Sequence, residues 1–323
     1  MLPLHHPPCR IGLALGSGGA RGWAHLGVLA RLRELGVPIH CIAGTSIGAI
    51  VGALYASDSL ATMRDLATHL DWKSVARLFL EVNLPRSGLI SGKNFMRLLK
   101  DVIPARQFSD LALPCSVVAT DLLTETEVVL DSGSLFDAIR ASIAIPGVFT
   151  PMRLHGRHLV DGGLTNPLPV SVCRAMGADV VIAVDINLRC PPPRKPPRRV
   201  LQPAPAGPSA SMERLLARVG GLMPQWQESI DATVTRLYAP KKQKAAPLSI
   251  FDVLTRSFRV VENQLTRHGL ALAPPDILIQ PEVGHITTLD FHRGPEAIAA
   301  GRAAVDEILP GIVRFARPWS HPL

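Results

Sequence analysis

The chain has 323 residues, 47% of them hydrophobic, with 34 Lys and Arg against 26 Asp and Glu, a net charge of +8. That is enough apolar material for one sizeable core, or a core with a small subdomain, and excludes a disordered or fibrous chain. The five cysteines (Cys9, Cys41, Cys115, Cys173 and Cys190) are scattered with no Cys-x-x-Cys pair, which excludes a disulfide framework or a zinc site and fits a reducing compartment.

Taken in chain order, residues 1–9 read as a tail, with no apolar stretch of signal-peptide type before Arg10. The short apolar run 11–16 predicts a first parallel-sheet strand, and it opens into Gly16-Ser17-Gly18-Gly19-Ala20-Arg21-Gly22. Trp23, Leu26, Leu29, Leu32 and Leu35 recur at helical spacing, and Gly36-Val37-Pro38 stops that helix. A second strand, 39–44, runs through Gly44-Thr45-Ser46-Ile47-Gly48 into a helix over 47–57. Such a strand, helix, strand, helix unit packs as a parallel pair. The apolar run 42–56, about 15 residues long, is too short to span a bilayer, so a cytoplasmic location is expected.

Residues 59–100 read as amphipathic helix broken near 83–88, an insertion expected to cover part of a site. Strands are expected at 115–120 and 127–130, a helix at 135–143, a strand 158–160 leading to Asp161-Gly162-Gly163, a helix at 169–176 and a β-branched strand at 180–186. After Cys190 the composition turns proline-rich and basic, with a helix expected at 212–238. A helix at 249–268, a strand at 276–280 and a helix at 295–309 then predict a tail that rejoins the sheet. The expected organisation is a catalytic core over 10–190, a basic insertion over 191–247 and a C-terminal segment over 248–323 that returns to the core.

Three elements carry chemistry. A serine framed by glycines between a buried strand and a helix is the nucleophile-elbow pattern, which makes Ser46 the candidate nucleophile; the plainer alternative is a helix N-cap. The 16–22 loop can aim backbone N–H groups into one concavity at a helix start, as an oxyanion requires. A dinucleotide fingerprint would need glycine where Arg21 stands, and a P-loop would need Gly-Lys-Ser/Thr. For the base there are His25, His155, His158, His268, His285 and His292, with His285 in the late position of an α/β-hydrolase histidine, and there is Asp161. Asp161, a turn aspartate on the plainer reading, is the better candidate, because a partly desolvated carboxylate beside a serine takes its proton directly. The basic run after Arg189 reads first as a solvated linker and second as a contact for anionic lipid at the inner membrane face. Too few aromatics accompany it for nucleic acid.

Together, Gly16 to Gly22, Gly44 to Gly48 and Asp161-Gly162-Gly163 resemble the patatin-like phospholipase family, nearest to its bacterial single-domain members. The stretches 141–151 and 161–169 are also similar to family segments, and the likeness covers 10–190, returning weakly over 270–305. The resemblance implies a three-layer α/β/α fold with a mainly parallel sheet and a Ser–Asp dyad that cleaves acyl esters of lipids. It makes Ser46 the nucleophile and Asp161 the base, and it builds the oxyanion hole from the amides of Gly18, Gly19 and Ala20 with Arg21. No cofactor or metal is implied. Ser17 departs from the family's usual glycine. A regulatory or membrane- or protein-binding relative with little turnover, and an esterase or thioesterase for soluble substrates, are the alternatives.

Overall fold

The computed structural model describes residues 9–69, 90–187 and 250–316. The expected N-terminal tail up to residue 8, the break at 83–88, the basic insertion at 191–247 and the helix at 212–238 lie outside the described residues.

The short apolar runs form strands because each buries both faces of the chain. β1 (Ile11–Leu15), β2 (Cys41–Thr45) and β7 (Val180–Val184) are buried at every position, as parallel strands under two helical layers must be. β3 is Cys115–Asp121, β4 Thr126–Leu130, β5 Met152–Leu154, β6 Arg157–Asp161 and β8 Ile277–Ile279. The sheet runs β5-β6-β3-β2-β1-β7-β8, with β4 also on β3. β1, β2, β3, β7 and β8 pair in parallel, while β4, β5 and β6 are antiparallel. β5 has no counterpart among the expected strands: at three residues it is too short to show alternation.

The pairing around β3 brings two strand ends together. β3 pairs with β4 over Val117 to Asp121, so β4 fills one edge of β3. On the other edge β2 covers Cys115 to Val118 and β6 covers Ala119 to Asp121, running the opposite way. Their C-terminal ends therefore meet, Thr45 opposite Val118 and Asp161 opposite Ala119.

Alternation along β1 divides the core. Ile11, Leu13 and Leu15 join a large cluster with α1 (Trp23–Glu34), α2 (Ile47–Ala56), α3 (Leu60–His69) and α4 (Lys93–Val102), and α5 (Leu135–Ser142) joins the same cluster. Ala14, with Cys41 and Ala43 of β2, faces α6 (Val170–Ala175) on the opposite side. α7 (Ile250–Leu272) and α8 (Gly294–Glu307) come next in the chain, then α9 (Leu309–Ala316). The expected 59–100 helix is two helices, α3 and α4, in the described part.

α1 and α8 cross backbone to backbone. A Cβ on Gly27 would run into the Ile298 carbonyl, and one on Gly301 into the Ala24 carbonyl. In a free helix, alanine in place of glycine is worth about 1 kcal/mol. Here the sign reverses, and Gly27→Ala is expected to lower stability by about 2 kcal/mol, because overpacking forces the helices apart. A lower urea midpoint with unchanged slope is the readout.

Candidate active site

β2 ends at Thr45, and Ser46 turns the chain into α2 with φ 56 and ψ −120. A non-glycine residue in that region is strained and persists only where its surroundings over-determine it. Here the glycines at 44 and 48 do so: a Cβ on Gly48 would collide with the Leu15 carbonyl, and one on Gly44 with the Gly48 carbonyl. The Ser46 amide donates to Ser142 Oγ at 2.8 Å, and that hydroxyl donates to the Val118 carbonyl at 2.5 Å. Thr45 Oγ1 donates to the Asn166 carbonyl at 2.7 Å.

Ser46 Oγ donates to Asp161 Oδ2 at 2.6 Å. The other oxygen, Oδ1, accepts the Gly163 amide at 2.8 Å, and Thr120 Oγ1 donates to the Asp161 carbonyl at 3.0 Å. Asp161 is 0% exposed and Ser46 4%, so a charge on the carboxylate costs desolvation. Burial first, and the neighbouring Glu262 second, push the Asp161 carboxyl up to about 8, against the two hydrogen bonds that favour its anion.

An apolar slot opens at Ser46. Its cavity is small, about 30 Å³, and is lined by Ile47 and Ile50 of α2, Phe95 of α4, Ile143, Ile145 and Phe149, with Thr288, Leu289 and Phe291. Its wall is mostly hydrocarbon, with Ser46 and Gly19 among the lining residues.

The family model for Patatin-like phospholipase matches residues 13–174, half of the chain. The chain belongs to the patatin-like phospholipase family. An uncharacterized NTE family protein of Mycobacterium tuberculosis is 33% identical over 329 residues, 93% of this chain and 91% of that one. Patatin-like phospholipase domain-containing protein 6 of Homo sapiens is 40% identical over 183 residues, 55% of this chain and 13% of that protein. VipD from Legionella pneumophila, a solved structure, has a TM-score of 0.49 at 14% identity, covering 96% of this chain and 67% of that one. Family membership points to a lipid acyl hydrolase, on a mixed α/β fold whose sheet is mostly parallel.

In this chain the glycine loop packs against segments from β7 and beyond β8. Ala20 N donates to the Thr288 carbonyl at 2.8 Å, so that amide is already committed. Arg21 is 0% exposed, and its guanidinium donates to Asn187 Oδ1 at 2.8 Å and to the Ile286 carbonyl at 3.1 Å. The physical reason is packing: the segment after β8 accepts from Ala20 N and one Arg21 N–H, and Asn187, just after β7, accepts another. Gly18 and Gly19 keep amides without an acceptor among the described residues. Gly19 at φ 60 and Gly18 at φ 153 hold conformations suited to glycine.

His25 and His285 have partners away from Ser46 and Asp161. His25 is fully buried, and its Nε2 meets the Gly16 carbonyl at 2.8 Å. Burial lowers it to about 4, so it is neutral near pH 7 and donates that hydrogen bond as a brace of the glycine loop. His285 is exposed beside Glu296. Sequence reasoning missed Ser142, Asn187 and Thr288. Ser142 had a signal, since it falls in a segment similar to the family; the other two had none, because only the fold brings them to the loop. Among the described residues, no helix is long and apolar enough to cross a membrane.

Proposed function

We propose that this chain is a serine acylhydrolase that cleaves acyl esters of lipids through a Ser46–Asp161 dyad. The observation that carries it is a strained Ser46 whose hydroxyl donates to a fully buried carboxyl at 2.6 Å. Ser46 Oγ attacks the ester carbonyl carbon as its proton passes to Asp161 Oδ2. The Gly18 and Gly19 amides receive the oxyanion. Asp161 then returns the proton to the departing alcohol, leaving Ser46 acylated. Water gives a proton to Asp161 and attacks the acyl carbon, and that proton goes back to Ser46 as the fatty acid leaves.

The apolar slot supports an acyl chain as the part of the substrate that is gripped. The basic excess of residues 191–247 suits adsorption to anionic lipid. The test combines a fluorophosphonate probe, mapped by peptide sequencing, with hydrolysis of p-nitrophenyl esters of graded length and of phospholipid in neutral and anionic vesicles. Labelling at Ser46 and faster hydrolysis on anionic vesicles are expected. Ile50→Trp should lower kcat/KM for the longest efficient ester by about tenfold, as the loss of one or two methylene contacts predicts, and spare the acetate. An unlabelled Ser46 in folded protein refutes the reading.

A further inference from the structure

A second carboxyl stands beside the dyad and comes from outside the family match. Glu262 lies on α7, past the 13–174 region, and is only 4% exposed. Its Oε1 accepts a hydrogen bond from Ser17 Oγ. Asn187 Nδ2 donates to the Ser17 carbonyl at 2.8 Å, and Arg21 in turn holds Asn187. Glu262 is thus tied to the same loop that supplies the Gly18 and Gly19 amides.

Gly163 separates the two acids. A Cβ built there would lie 2.7 Å from Glu262 Oε1, 3.1 Å from Asp161 Oδ1 and 3.1 Å from the Phe258 ring. The two carboxyl oxygens are therefore less than about 6 Å apart, within the range where one charge alters another's ionisation. Phe258 and Glu262, one helical turn apart on α7, cover this point and keep water from screening it.

We propose that Glu262 is a positioning residue of the dyad: held by Ser17 across Gly163, its carboxylate sets the pH at which Asp161 can accept the Ser46 proton. This rests on the reading of Ser46 and Asp161 as a dyad. The surroundings allow Glu262 to carry charge near neutrality. Burial raises its carboxyl, and Asp185 raises it further; the Ser17 hydrogen bond, Arg21 and Arg259 oppose that. Asp185 itself is tied to Asn187 N and Gln280 Nε2, and Arg259 to the Gly284 carbonyl. Facing Asp161 are Glu262, the Ser46 hydroxyl and the Gly163 amide. With Glu262 ionised, Asp161 is a stronger base that ionises later.

The experiment tracks the Asp161 carboxyl directly, by 13C NMR titration of protein labelled at aspartate Cγ, with the resonance assigned through Asp161→Asn. The acid limb of kcat/KM for p-nitrophenyl butyrate is measured beside it. Glu262→Gln should move the Asp161 midpoint down by about one pH unit, and the acid limb with it. Ser17→Ala, which removes the hydrogen bond that favours the Glu262 anion, should move both the same way by less, and it carries the test if Glu262→Gln does not fold. An Asp161 midpoint that stays put in the folded variants overturns the proposal, even if activity changes. A midpoint that moves in a protein without turnover keeps the coupling and removes the hydrolase reading instead.

Discussion

Ser46→Ala is expected to abolish fluorophosphonate labelling and to cut ester hydrolysis by a factor on the order of 10⁴ or more, as loss of a nucleophile does elsewhere. The substitution removes one atom, the Oγ that donates to Asp161 at 2.6 Å. It leaves the backbone alone: Ser142 still receives position 46's amide, and the glycines at 44 and 48 still fix the turn. The variant should therefore fold with near wild-type circular dichroism. Ser46→Gly separates chemistry from strain. It is equally inactive, but at φ 56 glycine sheds the left-handed penalty, and the variant should be more stable than Ser46→Ala by about 1 kcal/mol. A Ser46→Ala protein that keeps full turnover would remove the dyad from consideration.

Asp161→Asn is expected to lower kcat/KM by about 10²- to 10⁴-fold, the range for loss of a general base, with the fold retained. An amide fills the same space and can still accept the Gly163 amide, but it cannot take the Ser46 proton. The pH dependence gives the assignment its sign. In the folded protein the Asp161 carboxyl is raised to about 8 by burial, against roughly 4 in the unfolded chain. Turnover in the wild type should thus climb as pH rises through that raised value, and the residual turnover of Asp161→Asn should lack this limb. Stability runs the other way. The folded state binds the Asp161 proton more tightly than the unfolded chain, so this contribution is complete below about pH 4 and is lost as pH approaches 8. Asp161→Asn removes that decline, and its urea midpoint should gain on the wild type across the same window. A wild-type acid limb in the ordinary carboxylate range, unmoved in the variant, would assign the proton to another group.

Much of the sheet was legible because buried parallel strands write themselves as short apolar runs closed by glycine: 11–16, 39–44 and 180–186 all became strands within a residue or two. The helix over 23–34 announced itself by its period, and helices were also expected at 135–143 and 295–309, where α5 and α8 stand. Gly-Thr-Ser-Ile-Gly marked its own elbow, since only glycine fits at 44 and 48, and the serine between them has to turn outward. These are local facts, dictated by which side chains a backbone conformation tolerates.

What the tertiary structure decided is which groups meet. No spacing in the chain says that β2 and β6 finish end to end along one edge of β3, yet that register is what sets Ser46 against Asp161, 115 residues apart. Nor does sequence say that the segment after β8 takes the Ala20 amide and the Arg21 guanidinium, or that α7 brings Glu262 to Ser17. The motifs announced a serine, a carboxylate and an amide loop. How far the carboxylate is buried, which amides stay open and which second acid stands beside it depend on long-range packing, because desolvation and hydrogen bonding act through distance in space rather than position in the chain.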